Sequence, residues 1–437
     1  MTVSMFQAQR AMRQKYRQAL KHGLFAVLDI GAWKTACFVL RHEEDMRADP
    51  LAWQGNLRLE ATAVSASEGV SRGEILDMRR AEKVIRTVIR RAQKEVGECI
   101  DHVFVTFGGG NPVSAITSGT TELGGERTRE SDIADALAAC PLPDFGAGRQ
   151  LLHAQPLHFW IDNRTGLGDP LGQTGQELGV EMHLLAVDLP VFDGVLGCVR
   201  NCDLELCGLT AAGQAAGLGV LTEEERRLGA AVVDIGAGTA DIALFFRQHM
   251  IHAASIPLGG ALVTSDIAYA FGIPFAEAER LKTRFGGCIA TSRDDLDEIP
   301  LEVEGEWEGE RRTTTRTELI GVIVPRMEEI LEAVRERLEA IEFYAMPSQR
   351  IVLTGGASQL PGLDRMAARI LGDQVRLGVP IRIARLPENA RGPEFAALVG
   401  LVHHVMRPSD EWWDFEGFER RSKGPVGRII HWLASNW

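Results

Sequence analysis

The sequence lacks any stretch of the roughly 20 consecutive apolar residues that a membrane-spanning helix needs. It contains no Gly-Lys dipeptide, which excludes a Walker-type phosphate loop. Basic residues are fewer than acidic residues, with 47 Lys and Arg against 60 Asp and Glu, and the formal net charge is -13. This balance argues against nucleic acid as a partner, so we expect any basic surface to be local.

Cysteine is sparse and scattered, at positions 37, 99, 140, 198, 202, 207 and 288. An odd number without regular spacing does not indicate a disulfide framework and favours a reducing, cytoplasmic environment. Cys198, Cys202 and Cys207 could be metal ligands, but their surroundings, DGVLGCVRNCDLELCG, are typical of a packed helix and its exit. We interpret them as core thiols.

The first 22 residues carry Arg and Lys without any acid, and no apolar run follows before Gly23. This pattern excludes a secretory signal peptide, and we predict a disordered basic tail over residues 1–22. The rest of the 437 residues, with 45% hydrophobic and 24% charged residues overall, indicates a globular protein of two or more domains.

Two segments repeat one pattern, a buried strand, an Asp-Ile-Gly-Ala turn and a second strand rich in β-branched and aromatic residues. They are FAVLDIGAWKTACFVLR, residues 25–41, and AAVVDIGAGTADIALFFR, residues 230–247. One copy alone could be an ordinary hairpin with a glycine turn. Two copies in register, each opening a predicted domain, indicate a duplication.

The repeated turn suits phosphate. Gly31, Gly236 and Gly238 allow close approach of the backbone and point successive N–H groups into one concavity. Lys34 and Thr239 would add a cation and a hydroxyl to it. The carboxylates that end the two first strands would hold the water shell of a Mg²⁺ ion. We therefore predict a phosphate site between two facing hairpins.

A third glycine turn follows a strand in QRIVLTGGASQLPGLDRMAARIL. Gly355 and Gly356 would let the backbone lie flat against a base or ribose, although a tight strand-to-helix connection needs the same residues. Glu279 and Lys282 share one face of a predicted helix at i and i+3. They would grip a ribose or form a solvated ion pair.

These features in this order resemble the superfamily of actin, sugar kinases and DnaK-type chaperones, and within it the family of the bacterial cell-division protein FtsA. The narrower resemblance rests on GVSRGEILD, GVLTEEERRLGAAVVDIGAGTADIALF, IPLGGALVTSDIAYAFG, and IVLTGGASQLPGL followed by VRLGVP and ALVGLVHH. It implies an actin-like α/β fold, with two duplicated domains around a nucleotide cleft and a small inserted α+β subdomain.

The resemblance implies that domain 1 consists of residues 23–100, 190–228 and 390–406. It implies an insert over residues 101–189, whose strands are VFVTFG, LLHAQPLHFWID and VEMHLLAVDL. Domain 2 would consist of residues 229–268 and 332–389, with a small subdomain over residues 269–331. It implies ATP and Mg²⁺ as cofactors, the ion held through water by Asp29 and Asp234. The nucleotide contacts it assigns are Asp29, Gly31, Ala32, Lys34, Asp234, Gly236, Gly238, Thr239, Gly259, Gly260, Glu279, Lys282, Gly355, Gly356 and Ala357.

Two positions depart from the pattern of the superfamily. Trp33 stands in the first phosphate loop, where a small residue is usual. In the superfamily an acidic or amide side chain orients the attacking water, as phosphoryl transfer requires. Here the matching position is Ala212, with Gln214 two residues away. We therefore expect an ATP-binding switch with weak or no turnover.

The resemblance also implies partners. The conserved C-terminal tail of the tubulin-like division protein FtsZ would dock on residues 269–331, with Arg326 and Glu329 at the matching positions, on a helix that we predict to begin after Pro325. By itself, a charged helix is more often a solvated face. The family further implies self-association into polymers and other division proteins bound to the insert.

The chain ends in GPVGRIIHWLASNW, after a predicted linker, residues 407–424, whose Trp412 and Trp413 have no assigned role. On a helical wheel, residues 425–437 form an apolar stripe beside a polar face. The pattern predicts a helix in the interface of an anionic membrane, or one docked on the globule. The membrane-facing residues would be Val426, Ile429, Ile430, Trp432, Leu433 and Trp437.

The favoured hypothesis is an ATP-binding actin homologue that polymerises and attaches FtsZ to the cytoplasmic face of the inner membrane at the division septum. Its rival is a small-molecule kinase of the same superfamily, which would need a general base near the second loop and an acceptor pocket. A chaperone would need a further substrate-binding domain.

Overall fold

The computed structural model describes residues 15–42, 57–296, 298–301 and 312–406. The first sheet consists of β1 (Leu24–Ile30), β2 (Lys34–His42), β3 (Leu57–Ala66), β6 (His102–Phe107) and β11 (Glu205–Ala211). Their order in the sheet is β11-β6-β1-β2-β3. A short hairpin, β4 (Val70–Ser71) with β5 (Glu74–Ile75), precedes the first long helix.

The second sheet consists of β12 (Ala230–Ile235), β13 (Ala240–Phe246), β14 (His249–Ile256), β17 (Arg350–Thr354) and β18 (Val375–Leu377). Their order is β14-β13-β12-β17-β18. In each sheet an antiparallel hairpin lies beside strands that run parallel to its first member. The two sheets therefore have one topology, and the predicted duplication is confirmed.

Ten α-helices after residue 22 cover and connect the sheets in the described part of the chain. They are α1 (Met78–Val96), α2 (Glu130–Ala139), α3 (Leu189–Asn201), α4 (Ala212–Val220), α5 (Glu223–Leu228), α6 (Gly260–Phe271), α7 (Phe275–Phe285), α8 (Arg316–Ala340), α9 (Leu363–Leu371) and α10 (Ala396–Met406). Helix α1 packs on β2 and β3, whereas α4 and α10 pack between the two sheets. Among the described residues, no helix combines the length and the apolar composition that a transmembrane span requires.

A third sheet forms the inserted subdomain with α2. Its strands are β7 (Val113–Glu122), β8 (Arg149–Ile161), β9 (Arg164–Leu167) and β10 (Glu177–Asp188), in the order β7-β10-β8-β9, and a separate apolar cluster lies beneath them. The insert also touches domain 2, because the Ala253 N–H donates to Ser114 Oγ at 2.9 Å. His183 Nε2 lies 3.0 Å from the same hydroxyl, and burial lowers the pKa of His183 to about 3.

The structure corrects several predicted boundaries. The segment VFVTFG is β6, paired in parallel with β1 and β11 in the first sheet, so the insert begins after it and not at residue 101. Helix α8 begins at Arg316 and contains Pro325 in its interior, because Thr315 and Glu318 form a capping box well before the start that the sequence interpretation assumed. Helices α6 and α8 also run across the predicted limits of the small subdomain at residues 268 and 331.

Residues 15–22 are helical, whereas the sequence interpretation placed them in a disordered tail. Tyr16 and Ala19 are buried, and the Tyr16 hydroxyl donates to the Val405 carbonyl at 2.8 Å. In the small subdomain, β15 (Glu298–Pro300) pairs antiparallel with β16 (Thr313–Thr315). The predicted linker and C-terminal helix, residues 407–437, lie outside the described residues.

Helices α4 and α10 cross at a contact that only small residues permit. A Cβ on Gly400 would lie 1.6 Å from the Ala215 carbonyl oxygen, and one on Gly219 would lie 2.2 Å from the Ala396 carbonyl oxygen. This crossing fixes the distance between the two sheets, because each helix packs against strands of the first sheet and α4 also packs against those of the second.

We expect Gly400→Ala to lower the free energy of unfolding by about 3 kcal/mol, since overpacking at a tight contact costs about 1–3 kcal/mol or more. Chemical denaturation measures the change. Gly321→Ala is the matched control, because that glycine lies in α8 and a methyl group there would meet no described atom within 4 Å beyond the neighbouring residues and backbone of its own helix. The control should gain about 0.5–1 kcal/mol from helix propensity. Equal effects of the two substitutions would contradict the tight crossing.

Candidate functional site

The two repeated turns face each other across one cleft. The Gly31 N–H donates to the Lys34 carbonyl at 3.0 Å, and the Gly236 N–H donates to the Thr239 carbonyl at 2.9 Å. The turns are in contact, because a Cβ on Gly238 would lie 3.0 Å from that of Ala32. A cavity of about 510 Å³ opens beside them. This volume is in the range of small-molecule sites.

All of the nucleotide contacts predicted from the sequence, except Gly259, line this cavity. Gly259 precedes α6 and supports the second turn, since a Cβ there would lie 2.5 Å from the Ala237 carbonyl oxygen. The first N–H groups of α6 hold the helix against that turn. The Gly260 N–H donates to the Gly236 carbonyl and the Ala261 N–H donates to the Ala237 carbonyl, each at 2.9 Å. The structure therefore brings together turns, helix and strand ends from both domains.

Asp29, Asp234 and Asp241 place three carboxyl groups in the cleft, where Asp241 is buried and the other two residues are half-buried. Desolvation raises the pKa of each carboxyl group. Asp29 accepts a hydrogen bond from Thr106 Oγ1, which opposes the rise. The neighbouring charges of Asp241 and Asp29 raise the pKa of Asp234 further. A cluster that disfavours its own negative charge is stabilised by a cation. No set of three His, Cys, Asp or Glu side chains in the described residues could hold a metal directly.

Asp241 is the cleft carboxylate that the sequence interpretation missed. Its Oδ2 accepts from Thr239 Oγ1 at 2.8 Å. Thr239 and Asp241 are two residues apart, so they share a face of the same extended segment. This spacing after the second turn is the signal that would have identified Asp241.

Lys34 contributes a cation that makes no ion pair within the part of the chain that the structure describes. Its buried Nζ has no hydrogen-bond partner in the described residues and lies 3.2 Å from the centroid of the Phe395 ring. Burial lowers the pKa of Lys34 to about 8, although Asp29, Glu394 and Asp234 oppose the shift. A buried ammonium with free donors is costly unless an anion accepts from it.

Glu279 and Lys282 form the ion pair that the sequence left as one alternative, with 2.7 Å between Oε2 and Nζ. The pair is not solvated, because the two side chains are only 15% and 11% exposed. Lys282 also donates to Thr264 Oγ1 at 2.8 Å and to the Gly260 carbonyl at 3.1 Å. The pair lines the cleft and ties α7 to the start of α6.

Trp33 reaches across the mouth of the cleft. The side chain is 49% exposed, and its ring centroid lies 6.5 Å from that of Phe275, the first residue of α7. The Ser67 N–H donates to the Trp33 carbonyl at 2.9 Å and fixes the turn. Trp33 therefore belongs to the first turn but contacts the helix of domain 2 that carries Glu279 and Lys282.

The position expected to orient an attacking water carries no polar side chain. Ala212 lines the cleft at the start of α4. Gln214 is buried, its Oε1 has no partner in the described residues, and it does not line the cleft. Arg326 and Glu329 lie away from the cleft on α8, where Arg326 also pairs with Asp266 of α6 at 2.6 Å.

These observations define a class of protein. Two sheets of one topology, packed about helices α4 and α10 and meeting at a cleft between paired turns, constitute the actin-like ATPase fold. A chain of the PilM-PilN type IV pilus biogenesis complex has this fold, with a TM-score of 0.59 and 18% sequence identity. The match covers 88% of the present chain and 99% of the pilus protein.

The chain belongs to the FtsA family of cell division proteins. The family model "Cell division protein FtsA" matches residues 231–400, and the model "SHS2 domain inserted in FTSA" matches residues 109–186. The chain is 36% identical to the FtsA of Rhizobium meliloti over 86% of each chain. It is 30% identical to the FtsA of Escherichia coli K12 over 89% of this chain and 91% of that relative.

The buried amine of Lys34 makes stability depend on pH. Between its folded pKa of about 8 and its ordinary pKa of 10.5, the unfolded chain binds more protons than the folded chain. The free energy of unfolding should therefore rise with pH in this window for the parent protein relative to Lys34→Met. Urea denaturation of both proteins at pH values across the window measures the difference. A difference that does not change with pH would contradict a buried, unpaired amine.

Proposed function

We propose that this protein binds ATP with Mg²⁺ in the cleft between its two domains. The observation that supports the proposal is the buried Lys34 amine, which has no hydrogen-bond partner in the described residues and lies beside two facing glycine turns. Backbone N–H groups of turns and an ammonium are the donors that phosphate oxygens take. An anion there would satisfy the donors that the protein leaves free.

The carboxylates support the second half of the proposal. Asp29 and Asp234 would hold the water shell of Mg²⁺, and Asp241 joins them in the same cluster. Magnesium commonly keeps several waters and binds through few carboxylates together with substrate phosphates. This requirement agrees with the finding that no three side chains among the described residues could hold a metal directly. Mg²⁺, when bound, would supply charge neutralisation for the phosphates.

The adenosine would lie at the outer part of the cleft. Glu279 and Lys282 line the cleft together with residues 355–357, so a carboxylate, an ammonium and a stretch of backbone would be available to it. Gly355 has φ 88°, and a Cβ there would lie 2.2 Å from Asp234 Oδ1, so no other residue fits. Because Ala212 occupies the position that would orient an attacking water, we propose that ATP binding acts as a switch and that ATP hydrolysis is weak or absent.

We expect Lys34→Gln to weaken ATP binding about 10- to 100-fold, because a hydrogen bond to a charged group contributes about 1.5–3 kcal/mol. Isothermal titration with Mg²⁺ and ATP measures the loss. Lys94→Gln is the matched control, because that lysine is exposed on α1, outside the cleft. Equal affinities of the parent and Lys34→Gln would contradict the proposed phosphate contact.

We further propose that the protein polymerises and attaches FtsZ to the cytoplasmic face of the membrane at the septum. Membership of the FtsA family supports this role, and the apolar stripe of residues 425–437 supplies a membrane contact. The FtsZ tail would dock on the face of α8 that carries Arg326 and Glu329, and other division proteins would bind the insert. A segment this short binds weakly alone and firmly when many copies assemble.

Flotation with liposomes tests the membrane contact. We expect full-length protein to float and to carry an FtsZ tail peptide with it when ATP is present, whereas Leu433→Glu should lose flotation. The variant should retain the parental affinity for ATP, which shows that the body is intact. Arg326→Ala should float without the peptide. If a protein of residues 1–424 floats as well as the full-length chain, the terminal segment is not the membrane contact.

A further inference from the structure

Helix α1 concentrates positive charge in an acidic protein. Its sequence, MRRAEKVIRTVIRRAQKEV, contains seven Arg and Lys residues and two Glu residues, whereas the whole chain has a net charge of -13. The buried side of the helix consists of Ala81, Val84, Ile85, Val88, Ile89 and Ala92, and the helix packs on β2 and β3. Packing therefore explains the apolar half of α1 but does not explain the basic half.

Five of the seven basic residues form one stripe opposite the buried side. At about 100° per residue, Arg79, Lys83, Arg86, Arg90 and Lys94 fall within about 80° of the helix circumference. Arg86 pairs with Asp203 at 2.9 Å. The other four are exposed, and no carboxylate in the described residues pairs with them. We call Arg79, Lys83, Arg90 and Lys94 the cationic stripe.

The stripe lies on a helix that runs away from the cleft. Helix α1 ends at Val96, with Gly97 as its C-cap, a few residues before the start of β6, which is the end of that strand remote from the cleft. None of the four stripe residues lines the cleft. A partner can therefore contact the stripe on the folded body without entering the cleft.

We propose that the cationic stripe is a second membrane contact, which takes the anionic headgroups of a phospholipid surface. Charge complementarity favours this partner, because an anionic surface repels the acidic remainder of the protein and attracts this helix face. The inference rests on the proposed membrane role and extends it from the terminal segment to the folded body. Basic residues close to an anionic bilayer each strengthen binding about fivefold, and salt screens the effect.

The test uses the full-length chain and vesicles of phosphatidylcholine, with or without phosphatidylglycerol. The double variant Lys83→Gln/Arg90→Gln should bind the anionic vesicles about 25-fold more weakly than the parent at low salt. Its binding to phosphatidylcholine alone should be unchanged, and high salt should remove the difference. Arg365→Gln/Arg382→Gln is the matched control, because both residues are exposed and belong to domain 2. The control should bind as the parent does.

Equal binding by the stripe variant and its control overturns the inference. Weakened self-association with unchanged vesicle binding also overturns it and assigns the stripe to a second copy of the chain. Leu433→Glu separates the two membrane proposals. If Leu433→Glu keeps full binding while the stripe variant loses it, the terminal contact fails and the stripe stands. A parent protein that binds neither vesicle overturns both.

Discussion

The crossing of α4 and α10 is the contact on which the rest of the structure depends. Gly400 lies against Ala215 and Gly219 lies against Ala396, so backbone meets backbone where side chains would normally intervene. Ridge-and-groove packing of larger residues would hold the helices farther apart. Because α4 also packs on strands of the second sheet, the crossing determines how closely the two turns approach each other.

This geometry leaves charged groups in the cleft that the described residues do not fully compensate. Folding buries Lys34 without a hydrogen-bond partner in the described residues and places Asp234 beside the charges of Asp241 and Asp29. Each group is disfavoured by its own burial, and the protein supplies only partial compensation. Natural folds tolerate such groups mainly at sites that bind a ligand. The same residues that reduce the stability of the isolated chain are therefore those that would select the proposed anion together with a cation.

The sequence predicted the features that depend on local pattern. Each hairpin and its turn lie within one short segment, and the resemblance supplied the order of the remaining parts. Contacts between distant segments were harder to predict. Residues 102–107 have the alternation of an insert strand, but parallel pairing with β1 and β11 places them in domain 1. The helical residues 15–22 were missed because their order depends on Tyr16 meeting Phe104 and Val405.

The cleft also bears on the proposed assembly, because its walls belong to both domains. Trp33 of the first turn meets Phe275 of α7, and the insert touches domain 2 where Ser114 accepts from Ala253. A ligand that contacts both walls of the cleft stabilises the relative orientation of the two domains in which it binds. The stabilisation grows with the ratio of the ligand concentration to its dissociation constant. The proposed nucleotide would therefore act on the angle between the domains. Because polymer contacts require one fixed angle in every copy, nucleotide occupancy would then control assembly, and assembly would control how firmly weak membrane contacts hold.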